Sequence, residues 1–324
     1  MKKSDLRIIF MGTPEFACES LRALTEGGYR IVGVVTMPDK PVGRHGNVLQ
    51  SSPVKQYALS KHLPVFQPEN LKDEAFLREL KALQADLQIV VAFRMLPEAV
   101  WHMPRFGTFN LHASLLPQYR GAAPIHWAVI NGETETGATT FFLTHGMDTG
   151  RIILQRRVPV AFTDDAGTVH DRLMIAGAEL TIETVDLLLA RDGYIATVPQ
   201  EQLLRDADTL RPAPKIFKDT CRIDWYQPAE KVYNFIRGLS PAPAAWTELI
   251  FDNGNSKSLQ IFQSEILREP HALTVGAIRT IGSRLDVAVE DGFIRLHSLR
   301  MEGKKRMSVK ELLNGTRQTF SAVK

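Results

Sequence analysis

The spacing of apolar positions changes repeatedly along the chain, and each change predicts an element. Leu6–Gly12 (LRIIFMG) is a short continuous apolar run. In TPEFACESLRALTEGG, which follows it, Phe16, Leu21 and Leu24 share one helical face, Thr13 is expected as the N-cap, Pro14 as the first helical residue and Gly27-Gly28 as the stop. Tyr29–Thr36 (YRIVGVVT) reads as a second strand. Strand, helix, strand is a βαβ unit, so a parallel sheet with a right-handed crossover is expected. Helices are expected at VKQYALSKHL and LKDEAFLRELKALQ, and a buried strand at Ala85–Phe93. GTFNLHAS reads as a further strand and APIHWAVING as a helix. Two strands at Thr136–Thr144 and Arg151–Val160 are joined by HGMDTG, and GTVHDRLMIAGAELTIETVDLLLAR reads as a long amphipathic helix. Met37–Pro53 (MPDKPVGRHGNVLQSSP) has no period of its own, and its length marks a functional or mobile loop.

The pattern changes character near residue 205. Residues 205–220 carry two prolines and mixed charge, as a linker does, and divide the chain into regions 1–204 and 221–324. Beyond the linker a helix-like AEKVYNFIRGL precedes short alternating segments: LQIFQSEIL, GAIRTIG, LDVAVED and FIRLHSLR. Separated by Gly, Asn and Asp, they predict a small β-barrel or sandwich. At 324 residues and 44% hydrophobic, the chain can bury two cores. Its net charge is only +3, but from Asp206 onward 18 Lys and Arg stand against 14 Asp and Glu. That surplus permits a polyanionic partner and does not demand one. The two cysteines, Cys18 and Cys221, form neither a disulfide framework nor a metal spacing. No stretch approaches the roughly 18 apolar residues of a membrane span, so a soluble cytoplasmic protein away from membranes is expected; a monomer is the accompanying expectation.

Several apparent motifs dissolve on inspection. FMGTPEF opens a helix after a strand but lacks G-x-G-x-x-G and G-K-[ST], so a tight turn is the simpler reading. Asp148–Gly150 is a single D-T-G, whereas an aspartic protease needs two carboxylates sharing a proton. The nine histidines include no H-x-x-x-H, and no metal is expected. His126, beside Trp127, reads as packing or surface.

TFNLHASLLPQYRGAAP, from Thr108, is different. Alternation in a strand puts Asn110 and His112 on one face, and Phe109 and Leu111 on the other. A parallel strand covered by helices should be apolar on both faces. Two polar groups at its carboxyl end stand where ligands of open α/β sheets bind. Spacing alone leaves two readings level: a functional pair, or an Asn and a His satisfied by neighbouring loops. Asp148 could approach His112 if the strand ends lie side by side, giving the imidazole a carboxylate to orient it. Asn110 offers an amide N–H for an oxyanion. No G-x-S-x-G occurs, so the trio suits direct acyl transfer between two bound substrates.

NLHASLLPQYRGAAPIHWAVINGETETGATTFFLTHGMDTGRII resembles the signature of the 10-formyltetrahydrofolate-dependent formyltransferases. RIIFMGTPEFA, TMPDKPVGR, SPVKQYA, LPVFQPENLK, APKI, RIDW and GKKRMSVKELLNG are similar, in order, to the branch of that family acting on charged initiator tRNA, over essentially the whole chain. The resemblance implies a Rossmann-like parallel-sheet N-terminal domain binding the folate and a C-terminal OB-like β-barrel helping to bind tRNA. The implied reaction moves the formyl group of 10-formyltetrahydrofolate to the α-amine of methionine on initiator Met-tRNA, by direct attack through a tetrahedral intermediate. Asn110, His112 and Asp148 are implied as the catalytic trio, Ser114, Leu115, Leu116 and Pro117 as a folate-binding loop, and Arg44 as a tRNA contact. VAFRMLP (Val91–Pro97), implied as another pterin wall, departs from the family's Y-G-x-I-L-P and is one residue shorter. The alternative acceptor is another amine, such as an amino-sugar nucleotide or glycinamide ribonucleotide.

Overall fold

The computed structural model describes residues 2–42, 48–204, 209–316 and 319–324. They form two compact units. One comprises Met1–Gly121, Thr136–Pro159 and His170–Pro212, the other Ala122–Glu135, Val160–Val169 and Ala213–Lys324. Arg44 lies outside the described residues, as do 205–208 of the expected linker.

In chain order the first stretch is β1 (Arg7–Gly12), α1 (Glu15–Glu26), β2 (Arg30–Val35), β3 (Lys40–Val42), β4 (Val48–Gln50), α2 (Pro53–Ser60), β5 (Val65–Phe66), α3 (Glu74–Ala82), β6 (Leu87–Val91), α4 (Glu98–Trp101) and β7 (Thr108–His112). Then come α5 (Pro124–Ile130), β8 (Glu135–Phe142), β9 (Ile152–Pro159) and α6 (Ala166–Ala190). The first unit is built on a seven-stranded sheet of order β5-β2-β1-β6-β7-β8-β9. Strands β5 through β7 are parallel, as the βαβ reading expects, and the continuous apolar runs of β1 and β6 are buried on both faces.

Three details differ from expectation. β8 runs antiparallel to β7, with Phe109 opposite Phe142 and His112 opposite Thr139, because an apolar run reads alike in both directions. Helix α1 starts one residue later than expected: Pro14 is the N-cap and makes no side-chain cap, while Thr13 Oγ1 is buried without a partner. Gly12 explains the FMGTPEF turn, since a Cβ there would lie 2.6 Å from the Ala17 Cβ. This glycine serves close strand–helix packing. Finally, β3 and β4 pair as a short hairpin inside the stretch read as aperiodic.

The second unit contains α5, α7 (Ala229–Gly238), β10 (Ala245–Phe251), β11 (Ser256–Leu267), β12 (Ile278–Ile281), β13 (Arg284–Val289), β14 (Gly292–Met301), β15 (Met307–Ser308), α8 (Val309–Gly315) and β16 (Phe320–Val323). Its sheet runs β12-β13-β14-β11-β10-β16, with β15 on β14, and each of these neighbouring pairs is antiparallel. A bridge between Ala277 and Ala322 brings the two ends together, so the sheet nearly closes into the expected barrel. Trp225, Ile236, Leu259, Val287 and Leu299 fill it. Asp286 is fully buried and accepts hydrogen bonds from Arg279 (2.9 Å) and Arg295 (2.8 Å). Burial alone raises a carboxyl's pKa, but these two guanidiniums outweigh it and hold Asp286 below its usual range.

Candidate active site

Strand β7 positions the first two candidate groups. Leu111 turns toward α6, where a Cβ on Gly177 would come within 2.9 Å of the leucine. Asn110 and His112 share the opposite face, as period two requires. Asn110 lies beside Val90 of β6 and Phe141 of β8. It is half-buried, and among the described residues its amide makes no hydrogen bond to protein. His112 is only 6% exposed.

Asp148 does come to His112, by a route the strand pattern did not give. The antiparallel β8 ends opposite the start of β7, and the following loop carries Asp148 back along the strand. Its Oδ2 lies 3.9 Å from His112 Nδ1, too far for a hydrogen bond but close for an ion pair. The nearest partner of the imidazole is the Tyr119 carbonyl, 2.8 Å from Nε2. A carbonyl can only accept, so Nε2 carries the proton. The imidazole thus donates through Nε2 to a carbonyl, and its Nδ1 side faces the Asp148 carboxylate at ion-pair distance. Asp148 Oδ2 also accepts from the Gly121 N–H at 2.9 Å, and Asp148 sits at φ 53° in the left-handed region.

The loop after β7 is rigidly held. Ser114 is fully buried and its hydroxyl donates to the Gln118 carbonyl at 2.6 Å. Thr139 Oγ1 donates to the Ser114 carbonyl and accepts from the Leu116 N–H, while Gln155 Nε2 donates to the Leu116 carbonyl. Leu116 is 1% exposed and packs with Phe141 and Ile152. Pro117 is buried, and Leu115 is half-buried over Gly137. Part of the loop's apolar character therefore serves its own core. In Val91–Pro97, Met95 is 72% exposed, Phe93 is half-buried and Ala92 has φ 47°. Arg94 donates to the carbonyls of Pro68 and Glu69, and burial lowers its pKa.

Sequence reasoning missed Gln200, 1% exposed, which joins the Asp148 loop to Arg120. His126 Nδ1 donates to the Gly238 carbonyl (2.8 Å), a packing role within the second unit. Among the described residues no three His, Cys, Asp or Glu gather as a metal cage would, and no helix is long and apolar enough to cross a membrane.

This sheet, with Asn and His on one strand face and a loop aspartate beside them, accompanies matches to two family models. "Formyl transferase" matches residues 6–185 and "Formyl transferase, C-terminal domain" residues 215–317. The chain belongs to the formyl transferase family. Within it, the chain is 68% identical to the methionyl-tRNA formyltransferase of Parabacteroides distasonis and 61% identical to that of Bacteroides thetaiotaomicron, each match covering 98% of both chains. Among solved structures, HypX from Aquifex aeolicus in complex with tetrahydrofolic acid superposes with TM-score 0.63 at 17% identity, over 98% of this chain and 51% of HypX. An N-formyltransferase from Helicobacter canadensis, bound to folinic acid and dTDP-3-aminofucose, gives TM-score 0.62 at 18% identity, over 93% of this chain and 100% of that one. At such identities these two speak to fold alone.

Proposed function

We propose that this chain transfers the formyl group of 10-formyltetrahydrofolate to the α-amine of methionine on initiator Met-tRNA, with Asn110, His112 and Asp148 as the reacting trio. The observation that carries the reading is one strand face offering a free amide and a buried imidazole, with a carboxylate 3.9 Å from that imidazole. Identity of 61–68% to methionyl-tRNA formyltransferases over 98% of the chain supports the choice of acceptor.

The folate is a substrate that brings the activated formyl carbon. Asn110 donates its amide N–H to the formyl oxygen as the amine attacks and negative charge gathers there. His112 adds positive charge beside that oxygen and delivers a proton to the folate nitrogen as the C–N bond breaks, while the attacking amine loses its proton to solvent. Asp148 stabilises the imidazolium. The site suits a flat ring: Leu115 and Phe93 are half-buried, Met95 is exposed, and the rigid Ser114–Pro117 backbone presents fixed polar edges. Arg44 engages the tRNA. Region 1–204 carries the chemistry, 205–220 is the linker, and the barrel of 221–324 helps hold the nucleic acid. The protein acts as a cytoplasmic monomer.

The test is formylation of initiator and elongator Met-tRNA by the purified protein with 10-formyltetrahydrofolate, with a dTDP-amino sugar as the competing acceptor. Formyl-Met on the initiator is expected, and its absence from both tRNAs overturns the reading. His112→Ala should cut turnover far more than either substrate's affinity, and near-normal single-turnover formylation would remove His112 from the mechanism.

A further inference from the structure

Three consecutive residues, Tyr119, Arg120 and Gly121, each reach a different part of the site. The Tyr119 carbonyl takes His112 Nε2, and the Gly121 N–H takes the Asp148 carboxylate. Arg120 instead donates through Nε (2.9 Å) and Nη2 (2.6 Å) to Oε1 of Gln200. Gln200 Nε2 then donates to the carbonyls of Asp148 and Gly150, both at 2.8 Å. This closes a ring around the imidazole–carboxylate pair. The Gln200 amide uses both donors, and its oxygen meets a charge-assisted, two-pronged partner.

The ring answers a specific need. Asp148 is at φ 53°, a left-handed backbone state that aspartate adopts more readily than most non-glycine residues and that neighbouring hydrogen bonds here help to hold. Gln200 grips the carbonyls on either side of Thr149 with one side chain, fixing the direction in which the Asp148 carboxylate leaves the loop. A glutamate of equal length would keep Arg120 but turn a carboxylate toward two carbonyl oxygens.

We propose that Gln200, held by Arg120, is a positioning residue that sets Asp148 against His112. This rests on the reading of His112 and Asp148 as the reacting pair. Gln200 is 1% exposed and bonded to the Asp148 carbonyl, so its effect passes through Asp148.

The experiment is steady-state and single-turnover formylation of initiator Met-tRNA by Gln200→Met, Gln200→Glu, Asp148→Asn and the Gln200→Met/Asp148→Asn double variant. Thermal midpoints confirm folding. Each Gln200 variant should lose about tenfold or more in kcat with both KM values within about threefold. The double variant should be no slower than Asp148→Asn alone, because a positioning effect vanishes once its target charge is gone. Full kcat in a folded Gln200→Glu overturns the proposal, and so does a double variant slowed by the product of the two single effects. If Gln200→Met does not fold, Gln200→Glu carries the same comparison in its own double variant. Near-wild-type rates in both Asp148→Asn and His112→Ala would instead overturn the underlying reading of the pair.

Discussion

Asp148→Asn removes one charge and little else. Asparagine tolerates the left-handed backbone at least as well as aspartate, and its Oδ1 can still accept from the Gly121 N–H. What disappears is the attraction between a carboxylate and an imidazolium 3.9 Å away. At an effective dielectric of about 20, that separation corresponds to about 4 kcal/mol. The Asp148 side chain is 15% exposed, so water reduces the figure, and about 2–3 kcal/mol is a reasonable working value. One decade of rate per 1.36 kcal/mol makes this a loss of about 30- to 150-fold in kcat, with about 1,000-fold as the ceiling. Single-turnover formylation with enzyme in excess measures this directly, and steady-state titration of folate and tRNA separates KM. Both KM values should stay within about threefold. A fall in kcat below about fivefold, or one confined to KM, would show that the carboxylate does not act on charge at His112.

Three further outcomes follow from the packing. Leu116→Ala empties a site 1% exposed between Phe141 and Ile152 and should cost about 2–4 kcal/mol, read by denaturant unfolding; under about 1 kcal/mol would mean the loop is not anchored there. Gly137→Ala places a Cβ 2.2 Å from the Arg156 carbonyl and 2.4 Å from Leu115, so it should destabilise by about 1–3 kcal/mol and raise the KM for folate more than that for tRNA. The depressed Asp286 carboxyl contributes stability that is complete above the unfolded value near pH 4 and lost as pH falls toward its lower folded value. Acid unfolding of the wild type should therefore steepen below about pH 4, and Asp286→Asn should flatten that limb while lowering stability at neutral pH.

How much of this was legible in the sequence differs from element to element. Asn110 and His112 could be found because a parallel strand between helices should be apolar on both faces, and they are not. Asp148 could be nominated, but its approach depends on the loop that returns from an antiparallel β8, and strand direction leaves no trace in an apolar pattern. β10 escaped notice because Trp246 and Ile250 occupy its half-buried outer positions, which blurs the alternation of AWTELIF. Gln200 carried no signal at all. Its worth lies in carbonyls 50 and 52 residues earlier, and a glutamine opening a one-turn helix resembles any surface glutamine. The leucines of SLLP were expected to pack beside a flat ring, and Leu116 instead packs against Phe141 and Ile152 of the protein itself.

The left-handed backbone of Asp148 sets two selective demands against each other. Glycine would relieve part of the cost of a left-handed conformation, which is about 1–2 kcal/mol for an ordinary residue and less for aspartate. A library screened for heat resistance should therefore enrich glycine at position 148, while one screened for turnover should retain aspartate. Thermostabilised variants of this protein are best sought with that codon held fixed.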